Sequence, residues 1–488
     1  MERIKKTPTV LKVISVVVVL SVWSGASGAI EPNKAGEIDA IALSDSRVYL
    51  KWADTTSGKS EFAIERKTTP EGEYKQIAIN RVGVTRYTDV NLTKLTTYYY
   101  RVRAYNAEGN QADFAEVRAV THRMGNPFEL GGFTLQELDV VGGFNDPEIF
   151  ASLDQLIQTG ANSVIIAPQV WMKTKSSNTL EKLNAIPSNQ LADIGKVIAY
   201  LKNAHINVAV KPNLVCYDNT WSGRIKPENT DIWFESYKNM LLEYALLAEK
   251  SGADTLYLTN EMKSMVAEPK YKNKWEDTIK DVRKVFHGSI SLNSVITFQD
   301  NEVMNISFAE QLDFVGVSLY LNYTNKKHPK LEEIINAWYG NKDSINIVQQ
   351  LEKIHSMYGK PVMISEIGFR SVEGANTNVS DMESSGAVDF QEQSDLYEAM
   401  MEVLTSENKE WLKGVSAWGW FTNLKPSTKF ASRECRLGPL FGVQGSVIQN
   451  KPAEKLLTAW FSGTRRVTDI RKPGREVHHN ARTAPRQQ

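Results

Sequence analysis

Two short apolar runs of the chain end in a glutamate. DTLYLTNE ends at Glu261, and KPVMISE ends at Glu366. An ionised carboxylate at the end of a buried strand is costly to desolvate unless it is paired or used. Two such strands indicate a pair of carboxylates facing one pocket, which is the arrangement that cleaves glycosidic bonds. Alternatively, each glutamate only binds a lysine or a backbone amide at the end of its strand.

The elements that must position these glutamates begin at about Phe128, where short apolar runs alternate with amphipathic segments. Eight runs are predicted strands: FTLQEL, SVIIAPQVW, NVAVKPNLV, DTLYLTNE, SISLNSV, FVGVSLYLN, PVMISEIGF and GVSAWGWF. The longer segments between them carry apolar residues at spacings of three and four, which predicts helices. Eight nearly continuous apolar strands covered by helices predict a (β/α)₈ TIM barrel over residues 128–462. A doubly wound open sheet is the alternative, although no glycine-rich phosphate loop follows the first strand.

In such a barrel the carboxyl ends of all strands meet at one rim. Glu261 ends the fourth strand and Glu366 the seventh, so both are expected across the barrel mouth. A retaining glycosidase needs its two carboxyl groups about 5–5.5 Å apart. The acid needs an apolar or anionic environment to keep its proton, whereas the nucleophile needs hydrogen-bond donors to stay ionised.

Residues 37–121 alternate apolar and polar side chains between turn-prone groups, which predicts an all-β sandwich. This segment resembles a fibronectin type III module. Trp52 matches the tryptophan of its second strand, and Leu92 and Tyr98 match its leucine and its corner tyrosine. We interpret Trp52 and the tyrosines as core residues and not as a sugar-binding surface.

The two ends of the chain have distinct compositions. Residues 1–29 combine MERIKK, an apolar run from Val13 to Trp23 and small residues before Ala29, which predicts a cleaved signal peptide and an extracellular protein without membrane insertion. An uncut membrane anchor is the alternative. Residues 463–488 are basic and without periodicity, which predicts a disordered tail.

Composition excludes other classes of function. Lys+Arg and Asp+Glu both number 57, so the formal net charge is zero and no nucleic-acid partner is expected. Two cysteines, Cys216 and Cys435, exclude a disulfide framework and a four-cysteine zinc site, although one bridge between them stays open. No HExxH, calcium loop or GxSxG motif occurs, so no metal or other cofactor is predicted.

Segments over nearly all of Phe128 to Phe461 resemble glycoside hydrolase family 113, a family of β-1,4-mannanases in the retaining clan A; among them are TNEMKSM, LDFVGVSLYLN, YGKPVMISEIGFRS and WGWF. The resemblance implies that Glu261 is the acid/base, that Glu366 is the nucleophile, and that Asn260 binds the sugar 2-hydroxyl. It implies no metal. Family members often carry another residue before the acid/base, and often a histidine where this chain has Asn213, so the preferred sugar is less firmly implied than the catalytic pair.

Sugar rings pack their apolar C–H faces on aromatic side chains. The aromatic residues near strand ends are therefore predicted to bind substrate, together with Asn213: Trp171, Trp221, Tyr320, Trp418 and Trp420. Alternation along the eighth strand places Trp418 and Trp420 on the same face. Packing in the barrel core is the alternative for each ring. Lys211 and Arg370 are expected to form structural salt bridges, or else to bond substrate or tune the carboxylates.

Three hypotheses for function remain at this stage. The first is a secreted retaining endo-β-1,4-mannanase that cleaves mannan-type polysaccharides. The second keeps the catalytic pair but acts on another β-linked glycan or oligosaccharide, including cleavage from one end. The third is a non-catalytic carbohydrate-binding protein. A product profile on several β-linked polysaccharides separates the first two, and glycan binding without hydrolysis would favour the third.

Overall fold

The computed structural model describes residues 37–56, 58, 60–105, 115–136, 143–181, 190–296, 302–381, 386–406, 409–422 and 444–465. The predicted signal peptide, Cys435 and most of the predicted tail lie outside these ranges. Residues 463–465 of the predicted tail are described, and the Arg465 guanidinium lies 2.5 Å from the Glu398 carboxylate. None of the helices within the described ranges has the length and apolar character to cross a membrane.

The N-terminal region consists of two antiparallel sheets. Their strands are β1 (Ile38–Ala42), β2 (Val48–Trp52), β3 (Glu61–Lys67), β4 (Lys75–Asn80), β5 (Arg86–Asp89), β6 (Thr97–Tyr105) and β7 (Ala115–Val120). One sheet has the order β1-β2-β5 and the other β4-β3-β6-β7. The alternating burial of β6 shows one face of its sheet packed inward, as the alternation of the sequence predicts.

Aromatic side chains fill the space between these two sheets. Trp52, Leu92 and Tyr98 are all buried, as expected for core residues. The Trp52 ring meets Phe62 edge to face at 5.5 Å. The Tyr98 hydroxyl accepts a hydrogen bond of 2.9 Å from the backbone N–H of Thr93. This bond fixes the corner that leads into β6.

The N-terminal sheets are docked on the outside of the following domain through Asp154. The Asp154 carboxylate accepts hydrogen bonds from Tyr49 at 2.7 Å, from Lys51 at 2.5 Å and from Tyr200. Arg47 extends further and donates to the Ala204 carbonyl at 3.0 Å. Because Tyr49 and Asp154 are buried, these polar groups cannot exchange their partners for water, and the two parts are firmly joined.

Eight parallel strands close the second domain into a barrel of order β8-β9-β11-β13-β14-β15-β16-β17. The strands are β8 (Leu130–Gln136), β9 (Ser163–Ile166), β11 (Asn207–Val210), β13 (Thr255–Asn260), β14 (Ser289–Ile296), β15 (Val315–Leu319), β16 (Val362–Ile367) and β17 (Leu412–Phe421). Each coincides with one of the eight predicted strands, so the prediction of a TIM barrel is confirmed. Their side chains are almost entirely buried, which explains the continuous apolar runs of the sequence.

Helices cover the outside of the barrel. They are α1 (Ile149–Gln158), α2 (Gln190–Asn203), α3 (Thr230–Ser251), α4 (Lys263–Val266), α5 (Lys272–Arg283), α6 (Leu331–Ala337), α7 (Ile347–Tyr358), α8 (Phe390–Thr405) and α9 (Pro452–Phe461). The longest, α3, begins where the Asn229 side chain accepts from the N–H groups of Asp231 and Ile232. After β14 the chain forms two 3₁₀ turns, Glu302–Asn305 and Ala309–Gln311, instead of a regular helix.

A two-stranded parallel ribbon extends from the barrel rim. Its strands are β10 (Gln169–Met172) and β12 (Asn213–Cys216), which continue the second and third barrel strands beyond their ends. In both strands buried and half-buried residues alternate, so the ribbon has one inner and one outer face. Cys216 lies on the buried face.

Candidate active site

Glu261 directly follows the fourth barrel strand. Its φ of +51° lies in the left-handed region, which a residue with a Cβ adopts only at a cost of about 1–3 kcal/mol. The Glu261 N–H donates to the Asn293 carbonyl at 2.8 Å, and the register between β13 and β14 shifts just before it. This strained turn directs the Glu261 side chain into the barrel mouth. With regular strand geometry the chain would continue straight past the rim.

The environment of Glu261 favours its protonated form. The pKa of Glu261 is raised from 4.5 to about 7. Burial is the largest cause, and the charge of Glu366 is the second. Hydrogen bonds from Ser318 and Trp221 and the charge of Lys211 lower it in part. The Trp221 indole N–H donates to Glu261 Oε2 at 3.0 Å. Glu261 is therefore a carboxylic acid that keeps its proton near neutral pH.

Glu366 lies in the opposite kind of environment, next to the last residue of β16. The Lys211 ammonium, which is fully buried, lies 2.5 Å from Glu366 Oε2. The Tyr320 hydroxyl donates to Glu366 Oε1 at 3.1 Å. Burial and then the charges of Glu366 and Glu261 raise the pKa of Tyr320, so this hydroxyl keeps its proton and stays a donor. The Glu366 carboxyl group therefore has a buried cation on one oxygen and a hydroxyl donor on the other.

Three asparagines link the strands beneath the two carboxyl groups. Asn293 Nδ2 donates to Asn260 Oδ1 at 2.5 Å, and Asn260 Nδ2 donates to Asn213 Oδ1 at 3.0 Å. Asn260 and Asn293 are buried. These bonds fix which end of the Asn260 amide is the donor, and they place Asn213 at the site.

Two serines complete this network and were missed by the sequence reasoning. Ser365 donates to Asn293 Oδ1 at 2.6 Å, and Asn293 Nδ2 donates to Ser318 Oγ at 2.7 Å. Since Ser318 accepts from Asn293, its own hydrogen is free to point to Glu261, whose pKa it lowers. Both serines are fully buried on barrel strands. A polar side chain within a buried strand is the signal that could have found them.

The two tryptophans of the eighth strand point in opposite directions. Trp418 is half-buried, and the Lys211 ammonium lies 5.6 Å from the centre of its ring. Trp420 is fully buried, and its ring lies 4.8 Å from that of Phe133. The structure therefore places Trp420 in the core and does not bring it to the barrel mouth, where it was predicted to bind substrate. Gly419 has a φ of +114° and the register with β8 shifts here, so the simple alternation that placed both rings on one face breaks.

The remaining predicted aromatic residues lie on the ribbon and in the loop that follows it. Trp221 is 39% exposed beside Glu261. Trp171 lies on β10 and stacks on Tyr217, with ring centres 4.7 Å apart and an angle of 20° between the planes. Tyr217 was not among the residues predicted to bind substrate, although it lies only four residues before Trp221, which was.

Two further ionisable residues lie near the mouth. Burial lowers the pKa of Arg370, four residues after Glu366, and Asp381 opposes this effect. Glu302 is fully buried and accepts from the Val295 N–H at 3.1 Å. Burial raises its pKa to about 8, and the charge of Glu261 contributes to the rise. Glu302 was not predicted, because it follows no apolar run.

The arrangement brings together, at one rim of a closed sheet, a carboxyl group with a raised pKa and a carboxyl group paired with a buried ammonium. Such a pair can donate a proton to a leaving oxygen while the second group attacks or stabilises the carbon left behind. Among the residues that the structure describes, His, Cys, Asp and Glu form no group of three or more that could hold a metal ion.

Comparison with known proteins agrees with this chemistry. The model of Glycoside Hydrolase Family 113 matches residues 133–435, more than half of the chain. A solved structure described as a GH113 β-1,4-mannanase complex is 24% identical, with a TM-score of 0.55, and the match covers 69% of this chain and 99% of that chain.

A second solved structure gives the same result. The GH113 β-mannanase AaManA from Alicyclobacillus acidocaldarius, in complex with ManMIm, is 23% identical with a TM-score of 0.56. That match covers 70% of this chain and 99% of AaManA. At such identities the likeness supports the fold of the barrel. No curated protein matches the chain.

Proposed function

The chain belongs to glycoside hydrolase family 113 and is a glycoside hydrolase, and we propose that it cleaves β-1,4-mannosidic linkages of mannan-type polysaccharides with retention of configuration. The observation that carries this proposal is the contrast between the two carboxyl groups. Glu366 is paired with Lys211 at 2.5 Å, whereas burial raises the pKa of Glu261 to about 7. One group is prepared to attack and the other to give a proton.

In the first step the Glu366 carboxylate attacks the anomeric carbon while Glu261 donates its proton to the glycosidic oxygen. The bond to the leaving sugar breaks, and a covalent glycosyl-enzyme ester forms. In the second step Glu261, now ionised, takes a proton from water, and the hydroxide formed displaces Glu366. Two inversions at the same carbon give net retention.

The neighbours of the pair support these roles. Asn260 is oriented by Asn293 and Asn213, so its amide can hydrogen-bond a sugar hydroxyl beside Glu366. The Tyr320 hydroxyl steadies the nucleophile through a bond of 3.1 Å. Trp418 offers a half-buried ring at the mouth for the apolar face of a sugar.

The experiment that tests this mechanism follows the anomeric form of the first product by NMR during hydrolysis of β-1,4-mannan. Retention predicts that the β-anomer appears first and then mutarotates. Glu366→Ala should abolish turnover without changing the circular dichroism spectrum. An α-anomer as first product, or an active Glu366→Ala variant, would contradict the assignment.

Asn213 gives a reason to test other glycans too. This chain differs from many family members at Asn213. The Asn213 side chain accepts a hydrogen bond of 3.0 Å from Asn260, the residue proposed to bind the sugar 2-hydroxyl. Chromatography of products from mannan, glucomannan and cellulose distinguishes mannan-type action from action on another β-linked glycan. It also separates endo from exo cleavage.

We also propose that the protein is exported and that its N-terminal sandwich is a fibronectin type III module. Export rests on the signal-like residues 1–29. The module rests on buried Trp52 and Leu92 and on the hydrogen bond from Thr93 to the Tyr98 hydroxyl, which is the corner typical of such sandwiches. N-terminal sequencing of protein from culture medium should begin at Ile30.

A further inference from the structure

The outer face of the ribbon carries a strip of half-buried side chains that ends in an exposed tyrosine, and the proposed catalytic steps do not use it. Residues of the same parity lie on one face of a strand. On β12 and just after it, Asn213, Val215 and Tyr217 therefore follow one another on the face opposite to buried Leu214 and Cys216. Trp171 is paired with Val215 in the ribbon, and its ring stacks on Tyr217.

This strip is continuous with the candidate active site. Its inner end is Asn213, which accepts the hydrogen bond from Asn260. Its outer end is Tyr217, four residues further along extended chain and thus about 13 Å away. The chain then turns back, and Trp221 donates to Glu261. The strip therefore leads from the carboxyl pair outward along one direction.

The exposure of the outer end is unusual for an aromatic residue. Tyr217 is 56% exposed although one face of its ring is covered by Trp171. Exposed apolar surface that adjoins a binding cleft is commonly part of it. The stack holds the Tyr217 ring in place and leaves its other face as the accessible one, and the matching ligand is a pyranose ring, whose C–H face is apolar and whose hydroxyls stay in water.

We propose that Trp171, Val215 and Tyr217 form a distal subsite that binds a hexose unit of the β-linked substrate several units away from the bond cleaved. This inference rests on the proposed function, because the occupant is another part of the same glycan chain. It predicts that the enzyme prefers long chains over short ones, and that the preference resides in Tyr217.

The test compares kcat/KM for β-1,4-linked mannobiose, mannotriose and mannohexaose. Tyr217→Ala should lower kcat/KM for mannohexaose by about 3- to 10-fold, the range of one aromatic contact, and leave the shortest cleaved substrate unchanged. Tyr217→Phe keeps the ring and should behave as wild type. Phe150→Ala is the matched control, because Phe150 is 39% exposed and its ring centre lies the same 4.7 Å from that of Tyr200, but it belongs to helix α1 outside the barrel.

A binding measurement separates this inference from the proposed function. Calorimetry of mannohexaose with Glu366→Gln, alone and combined with Tyr217→Ala, reads the subsite without turnover. A wild-type protein that hydrolyses no β-1,4-mannan overturns the proposed function, but a loss of affinity with Tyr217→Ala would still support the subsite.

Equal effects of Tyr217→Ala on all chain lengths, or unchanged affinity for mannohexaose, would overturn the subsite. Unchanged affinity together with a mass in light scattering that rises with protein concentration would assign the strip to contact between copies of the chain, and would overturn it as well.

Discussion

Replacing Glu261 by glutamine should stabilise the protein, and the gain should depend on pH. Burial and the charge of Glu366 raise the folded-state pKa of Glu261 from 4.5 to about 7. A group with a raised pKa contributes its full stability below the unfolded value of 4.5 and loses it as the pH rises through 7. Glutamine, which does not ionise, avoids this loss.

The magnitude follows from the two pKa values. At about 1.36 kcal/mol per unit, the variant gains almost nothing at pH 4, about 2 kcal/mol at pH 6 and about 3 kcal/mol at pH 8. Glu261 is partly exposed, so screening by water reduces these values, and we expect about 1–3 kcal/mol at pH 8. Such a gain is typical where function requires an unfavourable residue.

Urea unfolding of wild type and Glu261→Gln at pH 4, 6 and 8 measures this difference in the free energy of unfolding. Glu352→Gln, at an exposed position of α7, controls for the change in net charge. A variant that is no more stable than wild type at pH 8 would refute the reasoning. So would a gain of equal size at all three pH values, because it would come from packing and not from ionisation.

Three further predictions test the neighbours of the site and the docking of the sheets. Ser318→Ala removes a hydrogen-bond donor that lowers the pKa of Glu261, so the alkaline limb of the kcat/KM profile should move upward by about one pH unit. Ser416→Ala is the control, because Ser416 is an equally buried strand serine bonded to Thr134 at 2.8 Å, and it should leave the limb in place. Lys211→Met leaves a buried carboxylate without its cation and should lower stability in urea unfolding by about 3–5 kcal/mol together with a large loss of kcat; an active and stable variant would contradict this. Asp154→Ala leaves two phenol hydroxyls and a lysine unpaired and should cost about 2–5 kcal/mol of stability in the same assay without changing KM; unchanged stability would show that the docked sheets do not depend on this carboxylate.

The parts of the site that could be predicted are those that depend on one strand alone. The placement of Glu261 and Glu366 at one rim was predictable because each ends a buried apolar run, and the parallel barrel brings the ends of all its strands to one rim. Tyr320 was found for the same reason. The eight strands themselves are encoded by continuous apolarity that no other local conformation explains as well.

The parts that could not be predicted depend on local departures from regular geometry. Trp420 was assigned to the mouth because strands alternate, but the φ of +114° at Gly419 turns its ring into the core. Glu261 itself reaches the mouth through a left-handed turn that its residue type does not indicate. The docking of the N-terminal sheets through Asp154 joins residues that are more than 100 positions apart in the sequence, which no local pattern reports.

The different environments of the two carboxyl groups are set by which neighbouring strands supply their partners. Lys211, after the third barrel strand, reaches Glu366 and gives it a cation at 2.5 Å. Glu261 is bonded by the neutral donors Ser318 and Trp221, and the charge of Lys211 lowers its pKa less than either of them. Two chemically identical side chains at one rim thus differ in their surroundings: the Lys211 ammonium and the Tyr320 hydroxyl contact Glu366, whereas burial raises the pKa of Glu261 and only neutral donors bond to it.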